Sequence, residues 1–477
     1  MRFDKHILSI GLLLAALAYT LWFVFAGFGN HQDPLYWLYK YEHLEGGWMT
    51  VGTLLTGGGI VRLFGAQLLP LRMAGWACVV AAIALPYCCL LTNEQRRENL
   101  HWLALAYVLM GYGAFQEFSP GTLSVLLLSA LWVTQSPIVL GLAVAARFPN
   151  ILALLVLIPL WKKKSLWYIP IAALSAGVVY LLGYLFITPS PMDAAMTSHD
   201  LMAMLTKLWE KAGLLIGYML TAVGVLAFKD KKYAGYIVGA LVALVALYTI
   251  KPMQWYNTDL TYMLSALILV IALYRKQYLG AALLVVATLG TDTAWLKLFP
   301  AVLCLLPVVA ADYEVSDRRY LFTVLAIFSA VVVYRMSTNS VGQTNLTNVQ
   351  TISTVAPYQG IAIREIEEQR LEQFRADYDS LGSGLSVGQE NHLIRAVTGC
   401  EAARFNEFWS NIFDSVYTAK YRGIIRTEQP VVFCSFSPQF KTKPQYKDTE
   451  SAFEKMLLEE GYQPIDRSKY RYMIYVK

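Results

Sequence analysis

From Ile7 to Val333 the chain is a succession of apolar runs separated by short polar stretches. Many approach the length a helix needs to cross ~30 Å of hydrocarbon. They fall at about 7–28, 70–91, 100–115, 119–134, 166–187, 212–228, 233–250, 259–274, 278–290, 296–311 and 320–336. The run from 137 to 161 is interrupted at Arg147-Phe148-Pro149-Asn150. Proline has no backbone donor and breaks a helix there, which predicts two half-length helices in a re-entrant hairpin. Irregular backbone at membrane depth is tolerated only where protein or a water-filled cavity covers it. Ile7–Phe28 is too long for a typical signal peptide and lacks a small-residue cleavage site, so it reads as a retained first helix. The sum is about 13 helical segments: an all-α multi-pass membrane domain over 1–336, followed by a small α/β domain over 337–477.

Two stretches depart from the membrane pattern. The first loop, 29–69, is far longer than the ~2–8 residues usual between bundled helices. It is rich in Tyr, Trp and Leu, which predicts amphipathic helices lying along the membrane surface; Gly57-Gly58-Gly59 reads as a turn. In the tail the pattern predicts a charged helix near Ile363–Tyr378, with Arg364 to Arg370 as a solvated face. A loop follows at Gly382–Gly388, then a helix over Glu401–Tyr417 and a buried strand over Pro430–Phe436. An amphipathic helix over Glu450–Glu460 and a strand over Tyr470–Tyr475 complete it.

Composition agrees with the membrane reading. Of 477 residues, 56% are hydrophobic and 15% charged, against ~25% charged in an average soluble protein. Soluble-enzyme, disordered, collagen-like and small disulfide-rich readings are excluded. Charge adds orientation. From Ser337 onward there are 16 basic and 17 acidic residues, so the positive balance behind the net +6 belongs to the membrane part and gives no argument for nucleic acid. Basic residues cluster in alternate short loops: Arg2 and Lys5, Arg96 and Arg97, Lys162 to Lys164, Lys229, Lys231 and Lys232, Arg275 and Lys276, Arg318 and Arg319. The positive-inside rule makes those loops cytoplasmic. With an odd number of segments the N-terminus is cytoplasmic and the tail extracytoplasmic. Short compact loops suggest a bacterial inner membrane. Cys400 and Cys434 could pair in an extracytoplasmic tail, and no cysteine spacing resembles a zinc site.

The charges left on the outer side are the candidates for chemistry, because charge near lipid is costly unless paired or solvated. Asp33 stands before Pro34 in the first loop, a common helix start. His31 and His43 lie nearby and, with Asp33, could meet a divalent metal; Glu42, His43 and Glu45 could equally be a solvated helix face. Arg62, Arg72, Arg147 and Lys251 are candidate phosphate binders. Against that stand lipid-headgroup contacts or helix caps for Arg62 and Arg72, and a buried ion pair at the hairpin tip for Arg147. Lys251 to Asp259 gathers a cation, Trp255, Tyr256 and an acid in one turn, a sugar-site composition or an interfacial aromatic belt. Asp292 could bind substrate or cap the next helix. There is no phosphate-cradling Gly loop, HExxH or nucleophile elbow.

An acid just beyond the first span, amphipathic helices, and Pro70-Leu71-Arg72-Met73 opening the next span resemble the C-type glycosyltransferase superfamily, in which aminoarabinose and protein mannosyltransferases are found. The broken hairpin with Arg147 at its tip, the segment count and the soluble tail resemble it too. The resemblance covers Met1 to about Met336, while the tail matches no family. It implies transfer of a sugar from a polyprenyl-phosphate donor to a lipid, glycan or protein acceptor on the outer face, among membrane lipids, with Asp33 as general base. Where many members carry a second adjacent acid, this chain has Gln32 and Pro34. Three other functions compete: a lipid-linked glycan polymerase or ligase, a lipid-carrier flippase or transporter, and an anchored binding protein.

Overall fold

The computed structural model describes residues 5–27, 32–110, 117–189, 258–289, 294–311, 351–382, 384–388, 391–402, 415–435 and 453–477, with single positions 326 and 330. The spans predicted at 212–228, 233–250 and 320–336 lie outside the described residues. The described chain is mostly helical, with a small sheet towards the C-terminus. It divides into two compact units. One comprises Met1–Ala26, Lys40–Gly65 and Leu69–Thr347; the other comprises Gly27–Tyr39, Ala66–Leu68 and Asn348–Lys477.

The first unit is a helical bundle. Its helices are α1 (Lys5–Phe25), the end of α2 (Gln32–His43), α3 (Val51–Phe64), α4 (Leu68–Leu90), α5 (Asn93–Glu98), α6 (Leu100–Met110) and α7 (Pro120–Thr134). Then come α8 (Pro137–Ala146), α9 (Ala153–Trp161), α10 (Ser165–Phe186), α11 (Thr258–Tyr274), α12 (Tyr278–Val285), α13 (Ala294–Leu303) and α14 (Leu306–Ala311). Among the described residues, three helical stretches are long and apolar enough to cross a membrane: His6–Phe25, Leu68–Leu90 and Phe148–Phe186, the last made of 3-10 turns, α9 and α10. Local sequence explains the ends. Thr92 and Gln95 form a capping box before α5, and Ser119 and Thr122 one before α7, where Pro120 occupies the first turn. Trp102, Leu128, Leu131, Leu283 and Val302 are buried together in one core. On α10, Leu166, Trp167, Leu174, Leu181 and Leu185 stay exposed, an apolar face suited to lipid.

The broken hairpin is present. α8 ends at Arg147, whose backbone is extended (φ −158°, ψ 110°), and a 3-10 turn over Phe148–Leu152 leads into α9. At the open end Trp161 Nε1 donates to the Gln135 carbonyl at 3.2 Å, so the chain returns beside its starting point. Asn150 is fully buried at the break. Its amide donates to Ser124 Oγ and to the Ala143 carbonyl, both at 2.8 Å, the latter alongside the Arg147 amide, and so ties the break to α7 and α8.

Gly57-Gly58-Gly59 is helical, not a turn: all three residues lie within α3. A Cβ on Gly57 would run into the Tyr41 ring, and one on Gly58 into Leu44. Close packing of two first-loop helices therefore explains this glycine pair better than turn chemistry does.

The second unit holds a five-stranded sheet in the order β6-β5-β7-β9-β8. The strands are β5 (Gly384–Gly388), β6 (Glu401–Ala402), β7 (Val431–Ser435), β8 (Gln463–Arg467) and β9 (Tyr472–Val476). β5, β6 and β7 run parallel; β9 is antiparallel to both β7 and β8. Helices α15 (Glu365–Leu381), α16 (Asn391–Thr398) and α17 (Ser415–Glu428), a helix at 453–459 and a small hairpin of β3 (Thr351–Ile352) with β4 (Ala362–Ile363) complete it. Three expectations are corrected. The loop predicted at Gly382–Gly388 is largely strand β5, because Leu385, Ser386 and Val387 are all buried and covering both faces erases the alternation a half-exposed strand shows. The helix predicted over Glu401–Tyr417 begins as β6, and the described helix there is α17. The predicted solvated face of α15 is buried at Glu367, Glu368 and Arg370. Glu367 pairs with Arg364 and Arg370, and Glu368 accepts from the Thr354 amide at 2.8 Å. Cys400 and Cys434 are both buried thiols, not a disulfide.

Candidate functional site

In the first loop the acid of interest, Asp33, lies in the first turn of α2. The helix begins at Gln32, one residue before the predicted start at Asp33-Pro34. Leu35 and Leu38 are 1% and 3% exposed and anchor the helix. Lys40, in the same helix, is also buried.

Around the far end of α2 a polar cluster forms inside the first unit. Tyr41 OH donates to the Phe118 carbonyl at 2.9 Å, and the two rings lie 6.1 Å apart. The Phe118 amide donates to the Leu71 carbonyl at 2.8 Å. Next to it Arg72 Nε donates to Glu117 Oε1 at 3.2 Å, with both side chains largely buried. Arg72 thus joins the start of α4 to the segment before α7 as a buried ion pair. Breaking such a pair by removing one partner strands a charge.

The hairpin tip sits against the second first-loop helix. Thr53 Oγ1 donates to the Ala146 carbonyl at 2.8 Å, and the Trp48 and Phe148 rings meet edge-on at 4.6 Å. A Cβ on Gly52 would lie 3.0 Å from the Ala145–Ala146 backbone, so glycine permits this approach. Arg147 reaches across to the end of α12. Nη1 donates to the Ala287 carbonyl at 2.6 Å and Nη2 to that of Leu289. Its guanidinium therefore caps carbonyls that a helix end leaves without intrahelical donors, a role neither the phosphate nor the ion-pair reading anticipated.

The remaining candidates are more dispersed. Arg62 is exposed near the end of α3. His43 Nδ1 lies 4.0 Å from Glu42 Oε2, each side chain about half exposed. Glu45 belongs to a two-residue strand, β1 (Glu45–Gly46), paired in parallel with β2 (Thr188–Pro189). Asp259 lies at the start of α11. His31, Lys251, Trp255, Tyr256 and Asp292 lie outside the described residues. Among the described residues no three His, Cys, Asp or Glu side chains gather as a metal site. A cavity of about 380 Å³ lies between Gln95, Trp132, Gln135, Lys276 and Gln277. It borders the loops that carry Arg96 and Lys276, and none of the candidate site residues lines it.

Sequence reasoning missed the partners. Asn150 had a signal, an amide beside the helix-breaking proline. Tyr41 and Thr53 had none, because their carbonyl acceptors are distant in sequence. Two tail residues were missed as well. The His392 ring lies 5.4 Å from that of Tyr36, and the Arg395 guanidinium lies 3.2 Å above the Tyr39 ring. Burial, and then the Arg395 charge, push His392 down to about 3, so it is neutral at physiological pH.

No protein-family model and no curated protein sequence matches this chain. Among solved structures the chain is similar to a crystal structure of ArnT from Cupriavidus metallidurans in the apo state. The match is 11% identical, covers 99% of this chain and 98% of that one, and has a TM-score of 0.39. Likeness at that level carries no functional argument.

Proposed function

We propose that this protein is a membrane glycosyltransferase of the C type. It moves a sugar from a polyprenyl-phosphate donor to an acceptor at the extracytoplasmic face of a bacterial inner membrane. The observation that carries the reading is a first loop that holds two helices, α2 and α3, with an acid, Asp33, in the first turn of α2. In the proposed reaction Asp33 takes the proton of an acceptor hydroxyl, and that oxygen attacks the anomeric carbon. The bond from that carbon to the phosphate oxygen breaks, and its electron pair leaves with the polyprenyl phosphate. Attack opposite the leaving group inverts the anomeric centre. Departing phosphate needs positive charge. Arg62, exposed near the end of α3, and Lys251 are the proposed sources, with Trp255, Tyr256, Asp259 and Asp292 as proposed sugar contacts. Arg72 and Arg147 are assigned to architecture by their partners. A positioned base contributes about 10²–10⁴-fold, so Asp33→Asn, which keeps size and removes basicity, is expected to lower transfer in isolated membranes at least about 100-fold. Full activity in that variant would remove Asp33 as the base.

A further inference from the structure

The second unit joins three pieces of the first loop to the C-terminal part of the chain. The Gly27 amide, just after α1, donates to the Ala362 carbonyl in β4 at 2.7 Å. The Leu68 amide, at the start of α4, donates to the Pro357 carbonyl at 3.0 Å. Between these ties, one face of α2 meets α16: His392 packs on Tyr36, and the Arg395 guanidinium lies over the Tyr39 ring. Arg395 is half-buried and His392 buried, so the stack is not a chance surface contact. Asp33 lies one helical turn before Tyr36–Trp37, on the same short helix.

From this arrangement we infer that the C-terminal domain is a positioning element for the first loop, with Arg395 and His392 as the residues that set the placement of the Asp33 helix. The catalytic part of this inference rests on the proposed function; the mechanical part does not. Main-chain ties at both ends fix where the loop starts and stops. Buried Leu35 and Leu38 hold the helix down, and the aromatic contacts with α16 add a directional constraint on the face that carries Tyr36 and Tyr39, one turn after Asp33. A guanidinium over a ring also has directional preference, because the ring face is the negative part of its quadrupole. A displacement of about 1 Å at a catalytic group costs about 100-fold in rate, so a modest clamp has a large effect on chemistry.

The test uses the full chain in lipid nanodiscs, with Arg395→Ala, Tyr39→Ala, the double variant and Tyr39→Phe. Amide exchange across residues 32–43 reports placement without reference to activity. Turnover of farnesyl-phosphate-linked pentoses and hexoses reports catalysis. Loss of a partly buried cation–π contact corresponds to about a tenfold change. Exchange in α2 is therefore expected to rise about tenfold in either alanine variant, with no further rise in the double variant. Tyr39→Phe, which keeps the ring face, restores protection. Turnover is expected to fall at unchanged donor KM, whereas exchange in β7 and β9 stays as in the parent and shows that the domain remains folded. Unchanged exchange in Arg395→Ala overturns the clamp. Raised exchange with unchanged turnover overturns its catalytic role. Asp33→Asn, run alongside, separates the two failures: full activity there sinks Asp33 as the base, while the exchange result still decides the clamp.

Discussion

Replacing Arg147 by methionine tests what holds the hairpin tip. The side chain is 4% exposed and donates to the carbonyls of Ala287 and Leu289. Methionine keeps much of the volume and supplies no donor. A hydrogen bond to a charged group contributes about 1.5–3 kcal/mol, so two lost together amount to about 3–6 kcal/mol. Relief from burying a guanidinium offsets part of this and leaves a net loss of about 2–4 kcal/mol. At roughly 2 °C per kcal/mol for a large domain, the melting midpoint should fall by about 4–8 °C. Arg147→Lys reaches one carbonyl at most and should lose about half as much. Intrinsic fluorescence melts in nanodiscs read the midpoint, and donor titration reads KM. A methionine variant with an unchanged midpoint and a steep rise in donor KM would refute the argument, because it would mean that the guanidinium serves a substrate phosphate.

Gly57→Val is expected to unfold or strongly destabilise the first loop, because its Cβ enters the Tyr41 ring, whereas Gly59→Ala, with open space at its Cβ, should gain about 0.5–1 kcal/mol of helix stability; paired thermal melts check both. Burial alone raises the Asp377 carboxyl, yet hydrogen bonds from Arg467 and Tyr472 win and hold it below its ordinary value. Its contribution is therefore complete above pH ~4 and lost as pH falls through the lower folded value, so melts of the parent should drop below pH ~4 more steeply than those of Asp377→Asn. Burial pushes the Cys400 thiol up to about 11, so at pH 7–8 peptide mapping should find it alkylated only after denaturation.

What the sequence made legible follows from physics local to a few residues. The span predicted at 70–91 is α4 at Leu68–Leu90, and the break at Pro149 lies where proline chemistry required it. The tail strand at Val431–Ser435 also showed, as a short apolar run. What stayed hidden depended on distant partners. Gly57 and Gly58 resemble a turn until Tyr41 and Leu44 are placed over them. β5 resembles a loop until β6 and β7 flank it. Asp33 could be singled out as an unusual acid at a helix start. The face of α2 that meets α16 could not, since nothing in Tyr36 or Tyr39 names a histidine and an arginine so far along the chain.

The ties at Gly27 and Leu68 also have a consequence in time. Their acceptors, Ala362 and Pro357, are made roughly 300 residues later, which at about 5–20 residues per second is about 15–60 s of synthesis. Throughout that interval the opening helices are already in the membrane, while the loop between them awaits the segment that completes it. A truncated chain therefore carries every residue of the proposed base helix without its final arrangement. A ribosome-stalled chain ending before Thr351 should thus show an α2 open to exchange, and release of the complete chain should close it.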